Sequence, residues 1–267
     1  MKLAYSTLGC PEWSFDKILA QTRPMGYGAV EVRGISGEMR CEKIAEFKPG
    51  RQLDTLKAVK NAGFELCDFG TSVSFHDPEK REDALYEGKC AIDICHALGI
   101  PYIRVFGDRI GDNDERVIID RVISGISELC EYAKGSGVGI LQEVHGEFNR
   151  LERLQAVISG VNSESFGLIW DVAHSDKVYF DDYMSFYAPL RPYIKHIHIK
   201  DHKRENGSFT LCRVGEGDIP IKAIVKQVLS DGYDGWFSLE WEKAWHPELE
   251  SADDVYPEYV KYMNGIC

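Results

Sequence analysis

The amino-acid sequence predicts a single (β/α)8 barrel domain that spans residues 1–267. Short apolar or alternating runs take turns with helix-like segments along the whole chain, which is typical of parallel strands joined by helical crossovers. Eight such runs occur, and eight strand–helix units are what a closed barrel of roughly 250 residues contains. No linker rich in proline, glycine or serine divides the chain. These observations favour one barrel over two smaller domains.

The predicted strands share the apolar or period-2 pattern of buried strands. They are Lys2–Thr7, Ala29–Arg33, Phe64–Gly70, Tyr102–Gly107, Gly139–Val144, Phe166–Val172, Ile194–Lys200 and Trp236–Trp241. A doubly wound sheet, the other common arrangement of parallel strands, needs a glycine-rich phosphate turn after its first strand. The segment TLGCPEW at the end of the first run contains no such turn.

The clearest helix-like segment is Ile221–Ser230, where apolar residues recur at i, i+3, i+4, i+7 and i+8. Asp218 is expected to cap its N-terminus, Pro220 to lie in its first turn and Gly232 to end it. Residues 115–134 and 82–98 show a similar pattern, and a glycine follows each of them. The unit that repeats is therefore helix, glycine, strand.

Net charge, apolar runs and cysteine content indicate which binding partners and which cellular compartment suit the chain. The chain has 31 Lys and Arg against 43 Asp and Glu, a net charge of −12, which disfavours nucleic acids and anionic membranes. No apolar run approaches the length of a membrane span or a signal peptide. Eight cysteines include no C-x-x-C pair, which indicates reduced thiols rather than a disulfide framework. We expect a cytoplasmic protein, and a homo-oligomer stays open.

The segment KHIHIKDHK alternates polar and apolar side chains. His196, His198 and Lys200 fall on one face of the predicted strand, and Ile197 and Ile199 on the other. In a closed parallel barrel one face packs on the helices and the other points into the barrel. The two histidines and the lysine are therefore expected to point inward, toward the end where the βα loops build a site.

The ends of four consecutive predicted strands each offer a metal ligand. LQEVH supplies Glu143, IWDVAH supplies Asp171, HIHIK supplies His198 and WFSLEWE supplies Glu240. Three carboxylates in one barrel mouth would raise one another's pKa unless a cation lay between them. An oxygen-rich set with one imidazole suits Mn²⁺, Mg²⁺ or Co²⁺, and Zn²⁺ less exclusively. One divalent metal ion is therefore expected.

Each of these residues alone could be structural, and the metal interpretation depends on four of them matching at strand ends. His196 lies one layer deeper and is expected to be a hydrogen-bonded barrel residue. His145 shares a face with Glu143, and His174 follows Asp171 closely. The other four histidines, His76, His96, His202 and His246, are assigned no chemical role.

The chain resembles the sugar phosphate isomerase/epimerase family of xylose isomerase-like barrels, which includes ketose 3-epimerases, hydroxypyruvate isomerase, inosose dehydratase and endonuclease IV. The resemblance is carried by the stretches MGYGAVEVR, LQEVH, WDVAH, HIHIKD, VGEGDI and YDGWFSLEWE, which together span nearly the whole chain. It implies metal ligands at Glu143, Asp171, His198 and Glu240.

The same resemblance implies that His174 and Arg204 contact substrate oxygens, and Lys200 and His145 are expected beside them. In the ketose epimerases the two glutamates also move protons on opposite faces of the sugar. Those epimerases carry a further glutamate six residues after the first ligand, where this chain has Asn149, with Glu147 nearby. The substrate contacts on that side are therefore expected to differ.

The expected activity is isomerisation or epimerisation of a small sugar or sugar derivative through an enediolate, with Glu143 and Glu240 as the acid/base pair. A dehydratase is the alternative, with Lys200, Arg204 or His174 as the acid for the leaving hydroxyl. A DNA phosphodiesterase would need more metal ligands and a basic face, and a binding barrel without turnover would leave the paired glutamates superfluous.

Whether the substrate carries phosphate depends on the loop before the last predicted helix. Lys203, Arg204 and Arg213 flank this loop and a helix N-terminus attracts anions, but Glu216 and Asp218 lie in the same loop. An unphosphorylated, polyol-like substrate is favoured.

Overall fold

Eight parallel strands close into a barrel in the computed structural model, which describes residues 1–266. The barrel strands are β1 (Lys2–Ser6), β2 (Ala29–Val32), β3 (Glu65–Ser74), β4 (Tyr102–Phe106), β5 (Gly139–Glu143), β6 (Phe166–Asp171), β7 (Ile194–Ile199) and β10 (Trp236–Leu239). Their spatial order is β1-β10-β7-β6-β5-β4-β3-β2, and β1 closes the barrel by pairing with both β10 and β2. All eight predicted strands are confirmed, and so is the (β/α)8 fold.

Helices connect the strands and surround the barrel. They are α1 (Phe15–Gln21), α2 (Gln52–Ala62), α3 (Arg81–Leu98), α4 (Glu115–Tyr132), α5 (Leu151–Val161), α6 (Val172–Tyr179), α7 (Tyr183–Leu190), α8 (Ile221–Ser230) and α9 (Ala252–Asn264). The predicted bounds of α8 are confirmed. The expected cap is wrong: Pro220 holds the N-cap position without a side-chain bond, and the Asp218 carboxylate instead accepts a hydrogen bond from the Arg204 backbone N–H.

A β-hairpin follows β7 in a region that the sequence analysis treated as a loop. Its strands, β8 (Asp201–Glu205) and β9 (Ser208–Cys212), pair antiparallel. The turn between them is Asn206-Gly207, and both residues have positive φ, 51° and 80°. This is the backbone conformation that a two-residue type I′ turn requires. The hairpin therefore places residues of β9 beside the barrel mouth.

The barrel interior changes character from bottom to top. Its lower end is filled by a small apolar cluster of Ala4, Ala29 and Cys67 with Trp236 packed against it. Above this cluster several inward-facing side chains are polar or charged and buried, in contrast to the branched aliphatic layers that fill most such barrels. The large apolar core lies instead between the outer faces of the strands and the helices. The polar side chains of the upper interior therefore form a site rather than a packed core.

The cysteines described by the structure, Cys10, Cys41, Cys67, Cys90, Cys95, Cys130 and Cys212, are all free. Cys267 lies outside the described residues. Among the helices of residues 1–266, none combines the length and the apolar character that a bilayer span needs.

Candidate active site

Four residues from adjacent strands meet at the upper end of the barrel. Glu143 ends β5, Asp171 ends β6, His198 lies near the end of β7, and Glu240 follows β10. All four are buried, and one ligand atom from each lies within 4.8 Å of the others. His198 Nδ1 is 3.0 Å from Glu143 Oε1 and 3.4 Å from Glu240 Oε2. The structure thus brings together all four residues that the sequence analysis selected as metal ligands.

Two cations lie among these carboxylates. Arg104 Nη1 is 3.1 Å from both Glu143 Oε2 and Glu240 Oε1. Lys200 Nζ is 2.7 Å from Asp171 Oδ2 and 2.6 Å from Glu240 Oε2. Both side chains are buried, so water screens these interactions weakly. Each of the three carboxylates therefore has a cation within 3.1 Å.

The protonation of the site follows from this crowding. Burial and Glu240 push the pKa of Glu143 up, but Arg104 and His198 outweigh them, and the pKa is lowered. Burial also opposes ionisation of Glu240, yet Lys200 and His198 hold its pKa well below its usual range. Asp171 differs, because burial exceeds the effect of Lys200 and raises its pKa. The two glutamates are therefore the carboxylates that are ionised most readily.

The residues fit a divalent metal ion. Glu143 Oε2 and Asp171 Oδ2 are buried and receive no hydrogen bond of acceptable geometry, although each is in ion-pair contact with a cation. Buried carboxylate oxygens that lack hydrogen bonds are costly unless they bind an ion. Three carboxylates and one imidazole are a donor set for Mn²⁺, Mg²⁺ or Co²⁺, with Zn²⁺ also possible.

A second carboxylate–histidine group lies one layer deeper in the barrel. Glu31 Oε2 on β2 lies 2.9 Å from the Nε2 atoms of both His196 and His198. The expectation that His196 is a hydrogen-bonded barrel residue is therefore confirmed. Asp68 on β3 shares this layer, and neither of its carboxylate oxygens has a hydrogen-bond partner. Burial and the charge of Glu31 raise the pKa of Asp68 well above its usual range.

Four charged interior residues are not among those predicted from the sequence: Glu31, Arg33, Asp68 and Arg104. They lie on or next to β2, β3 and β4, whereas the predicted ligands all come from the ends of the last four barrel strands. The signal was present, because Glu31 and Arg33 alternate in AVEVR and Arg104 interrupts the apolar run YIRVF. A charged side chain inside a barrel strand has to point inward or lie against the helices.

A cavity of about 700 Å³ opens above the four residues. His145 and His174 line its wall with their rings 4.3 Å apart, and Lys200 lines it as well. Burial lowers the pKa of His174 well below its usual value, and the charges of Lys200 and His145 add to this. His174 is therefore a neutral hydrogen-bonding group near pH 7. Three of the four expected substrate contacts lie at the cavity.

Arg204 is the exception. It is not among the residues that line the cavity, and its guanidinium group instead binds Asp176 through Nε at 2.9 Å and Asp181 through Nη1 at 3.2 Å. The reason is the hairpin, which places Arg204 on β8 facing α6 and the loop after it. Arg204 therefore does not line the cavity, and its expected contact with a substrate oxygen stays a prediction.

The loop considered for phosphate binding is occupied by a side chain of the protein. Asp201 accepts hydrogen bonds from the backbone N–H groups of Gly215, Gly217 and Ile219. Gly217 is required here, since a Cβ atom at this position would lie 2.1 Å from Asp201 Oδ1. Arg213 points away and pairs with Glu250. None of these three N–H groups is therefore free to bind an anion.

The departure noted near the first ligand has a structural explanation. Asn149 Nδ2 donates to the His174 carbonyl oxygen at 3.1 Å. The Glu147 carboxylate accepts from the backbone N–H groups of Ile110 and Gly111 at 2.8 Å each. Both side chains thus hold loops in place, and neither lines the cavity.

Fold and site define a (β/α)8 barrel with a buried, metal-compatible carboxylate group at its mouth. The model of the xylose isomerase-like TIM barrel family matches residues 19–263, so the chain belongs to this family. It is 22% identical over 252 residues to fructoselysine 3-epimerase of Shigella flexneri, with 90% of each chain covered. It is 24% identical over 243 residues to inosose dehydratase of Serratia proteamaculans, with 76% of this chain and 78% of that one covered.

A solved structure shares the fold. A xylose isomerase-like TIM barrel protein from Mycobacterium smegmatis, determined in complex with magnesium, superposes with a TM-score of 0.76. The two chains are 18% identical, and the match covers 99% of this chain and 96% of the other. The two curated relatives are thus an epimerase and a dehydratase.

Proposed function

We propose that the protein is a divalent-metal-dependent isomerase or epimerase of a small sugar or sugar derivative. The observation that carries this proposal is the pair of buried glutamates, Glu143 and Glu240, which approach the same His198 Nδ1 atom from two strands. A cavity of about 700 Å³ is large enough for a sugar derivative. Kinship to fructoselysine 3-epimerase supports the same class of reaction.

Glu143, Asp171, His198 and Glu240 would hold the metal ion. When bound, such an ion polarises a carbonyl oxygen and makes the proton on the neighbouring carbon more acidic. The oxygen-rich donor set favours Mn²⁺, Mg²⁺ or Co²⁺ over Zn²⁺.

The glutamates supply the acid/base chemistry. The lowered pKa values of Glu143 and Glu240 favour the ionised form of each, so either can take a proton from the carbon next to the substrate carbonyl. Epimerisation requires that the other glutamate has taken up a proton from solvent, which it gives to the opposite face of the same carbon. Isomerisation instead returns the proton to the carbon that carried the carbonyl. Arg104 Nη1 contacts both carboxylates and stabilises whichever one is ionised. His145 and His174 line the wall where substrate hydroxyls would bind.

A dehydratase is the second candidate, because the inosose dehydratase of Serratia proteamaculans is also a relative. Dehydration needs an acid for the leaving hydroxyl, and Lys200 is placed at the cavity. Burial opposes its charge, but Asp171 and Glu240 raise the pKa of Lys200 well above its usual value. His174 is neutral. Both groups are therefore weak proton donors, and epimerisation is the better-supported reaction.

The substrate is a small molecule that enters the cavity from solvent, and no nucleic acid or membrane partner is proposed. The free cysteines at the described positions are compatible with a reducing compartment, and we include a cytoplasmic location in the proposal.

The proposal is tested by removing and restoring metal. The protein is dialysed against a chelator and incubated with a panel of ketoses and ketose derivatives, and products are identified by NMR. Activity should disappear on chelation and return with Mn²⁺, Co²⁺ or Mg²⁺. An epimer or isomer has the mass of its substrate, whereas a dehydratase product is lighter by one water. Full activity after exhaustive chelation, or no turnover of any compound, would contradict the proposal.

A further inference from the structure

Arg33 is a buried cation at the cavity wall that lacks a carboxylate partner. Among residues 1–266, the Lys and Arg residues that are buried are Arg33, Arg104 and Lys200. Arg104 and Lys200 each contact at least two carboxylates within 3.1 Å. In contrast, no carboxylate oxygen of the described chain lies within 4.0 Å of the Arg33 guanidinium group.

Arg33 is held in position by hydrogen bonds from its backbone and from its guanidinium group. Its backbone N–H donates to Thr7 Oγ1 at 2.9 Å, and its Nη2 donates to Ser72 Oγ at 2.7 Å. Its Nη1 is buried and has no hydrogen-bond partner. The Trp245 ring centroid lies 6.0 Å from the guanidinium carbon, and Arg33, Ser72 and Trp245 all line the cavity. An unpaired donor is therefore held in place at the cavity wall.

The surrounding residues make room for this cation but do not neutralise it. A Cβ atom on Gly70 would lie 3.0 Å from Arg33 Cδ and 3.3 Å from Arg104 Cζ, so the glycine lets two guanidinium groups approach each other. Glu87, a nearby acid, is engaged by Arg40 at 3.1 Å and by the Ser72 backbone N–H at 2.8 Å. Burial and the neighbouring Arg104 lower the pKa of Arg33 to about 10, although the more distant carboxylates of Glu87, Glu240 and Glu143 oppose this shift.

A buried, unpaired guanidinium group is unfavourable in a folded protein unless a ligand completes its hydrogen bonds. Its planar array of donors matches the oxygens of a carboxylate or a phosphate. The carboxylates of the cavity are already paired with Arg104 and Lys200. The group that completes the hydrogen bonds of Arg33 therefore comes from a bound ligand, and an oxyanion of the substrate has the matching chemistry.

We propose that Arg33, with Ser72 beside it, binds an oxyanion group of the substrate, so that the substrate is an acidic sugar derivative rather than a neutral ketose. The proposal rests on the proposed function for the reacting end of the molecule. It replaces the neutral polyol favoured by the sequence, which was judged from the loop that Asp201 fills. A carboxylate and a phosphate share the chemistry that Arg33 recognises.

Binding of matched probes to the Mn²⁺-loaded protein tests this inference by calorimetry. Gluconate is compared with sorbitol, and fructose 6-phosphate with fructose, for the wild type and for Arg33→Met. In the wild type the oxyanion member of at least one pair should bind about 10- to 100-fold tighter, as expected for charge-assisted hydrogen bonds. Arg33→Met should abolish this preference, so that the two members of each pair bind with similar affinity. A preference for gluconate over sorbitol identifies a carboxylate as the bound group, and a preference for fructose 6-phosphate over fructose identifies a phosphate.

Control variants separate this effect from folding and from general charge. Arg33→Lys keeps the charge and should retain part of the preference. Arg213→Met removes a cation that pairs with Glu250 outside the cavity and should leave the preference intact. Melting temperature and Mn²⁺ content are measured for each variant.

The inference is overturned if the wild type binds the neutral members as tightly as the oxyanions, or if Arg33→Met keeps the preference. If Arg33→Met does not fold, Arg33→Lys takes its place, and an undiminished preference in that variant would also overturn the inference. Because these measurements need no turnover, a failed isomerase assay with an intact Arg33-dependent preference would count against the proposed reaction and not against this inference.

Discussion

His198 Nε2 lies 2.9 Å from Glu31 Oε2, and this contact leaves the other ring nitrogen facing the carboxylates at the cavity. A carboxylate that accepts from one imidazole nitrogen fixes the tautomer and the orientation of the ring, and makes the other nitrogen a better ligand. Burial opposes a charged imidazole, but Glu31, Glu240 and Glu143 raise the pKa of His198 well above its usual value, so metal binding has to displace the Nδ1 proton. Glu31 is therefore a positioning residue for the predicted metal ligand.

Replacing Glu31 should weaken metal binding without removing a ligand. In Glu31→Gln the amide keeps the shape of the side chain but loses the charge that favours an Nε2–H donor. We expect the affinity for Mn²⁺ to fall about 10- to 100-fold, the range found for such supporting carboxylates. Calorimetry with the metal-free protein measures it, with the exposed Glu65→Gln as control. Equal affinities for wild type and Glu31→Gln would contradict the role.

Lys200 and a divalent metal ion should stabilise the same carboxylates. Lys200 Nζ lies 2.7 Å from Asp171 Oδ2 and 2.6 Å from Glu240 Oε2. Lys200→Met leaves these buried charges uncompensated, which costs about 3–5 kcal/mol in comparable buried pairs. Urea unfolding of the metal-free variant should show this loss, and Mn²⁺ should stabilise the variant more than the wild type. The exposed Lys222→Met serves as control. If Mn²⁺ raised the free energy of unfolding equally in the wild type and in Lys200→Met, the result would argue against a shared site.

His174 should make folding stability depend on pH below neutrality. Burial, Lys200 and His145 hold its pKa well below the value of 6.5 that it has in the unfolded chain. As pH falls below 6.5 the unfolded chain takes up a proton that the folded protein does not, so the free energy of unfolding decreases. His174→Gln lacks this contribution. Urea unfolding between pH 7.5 and about 5 should show a shallower decrease for the variant, and parallel curves would refute the assignment.

The sequence specified the barrel well because its signals are local. Hydrophobic periodicity and the glycine that follows a helix act within a few residues, and they located all eight barrel strands and the bounds of α8. The four residues predicted as ligands come together because strand ends in a parallel barrel share one edge. The Asn206-Gly207 pair is also a local signal for a hairpin, although no hairpin is among the predicted elements.

The partners of the site residues could not be read from the sequence. Glu31 and His198 are separated by 167 positions along the chain, and only the closure of the barrel brings β2 across from β7. The same holds for Arg104, which lies 136 positions from Glu240. Arg204 illustrates the opposite case, because the hairpin directs a residue next to the site toward Asp176. Long-range pairing of this kind depends on barrel geometry rather than on sequence pattern.

Solvent isotope exchange during turnover tests the central claim, proton transfer by Glu143 and Glu240, most directly. The protein is loaded with Mn²⁺ in D₂O and given the substrate found in the panel, and NMR follows the carbon next to the carbonyl. A carboxylate proton exchanges with water, so the product should carry deuterium at this carbon. Glu240→Gln should be slower by roughly 10²- to 10⁴-fold, the scale of general acid–base catalysis. Product without solvent deuterium, or a near-normal rate for Glu240→Gln, would contradict the two-glutamate mechanism.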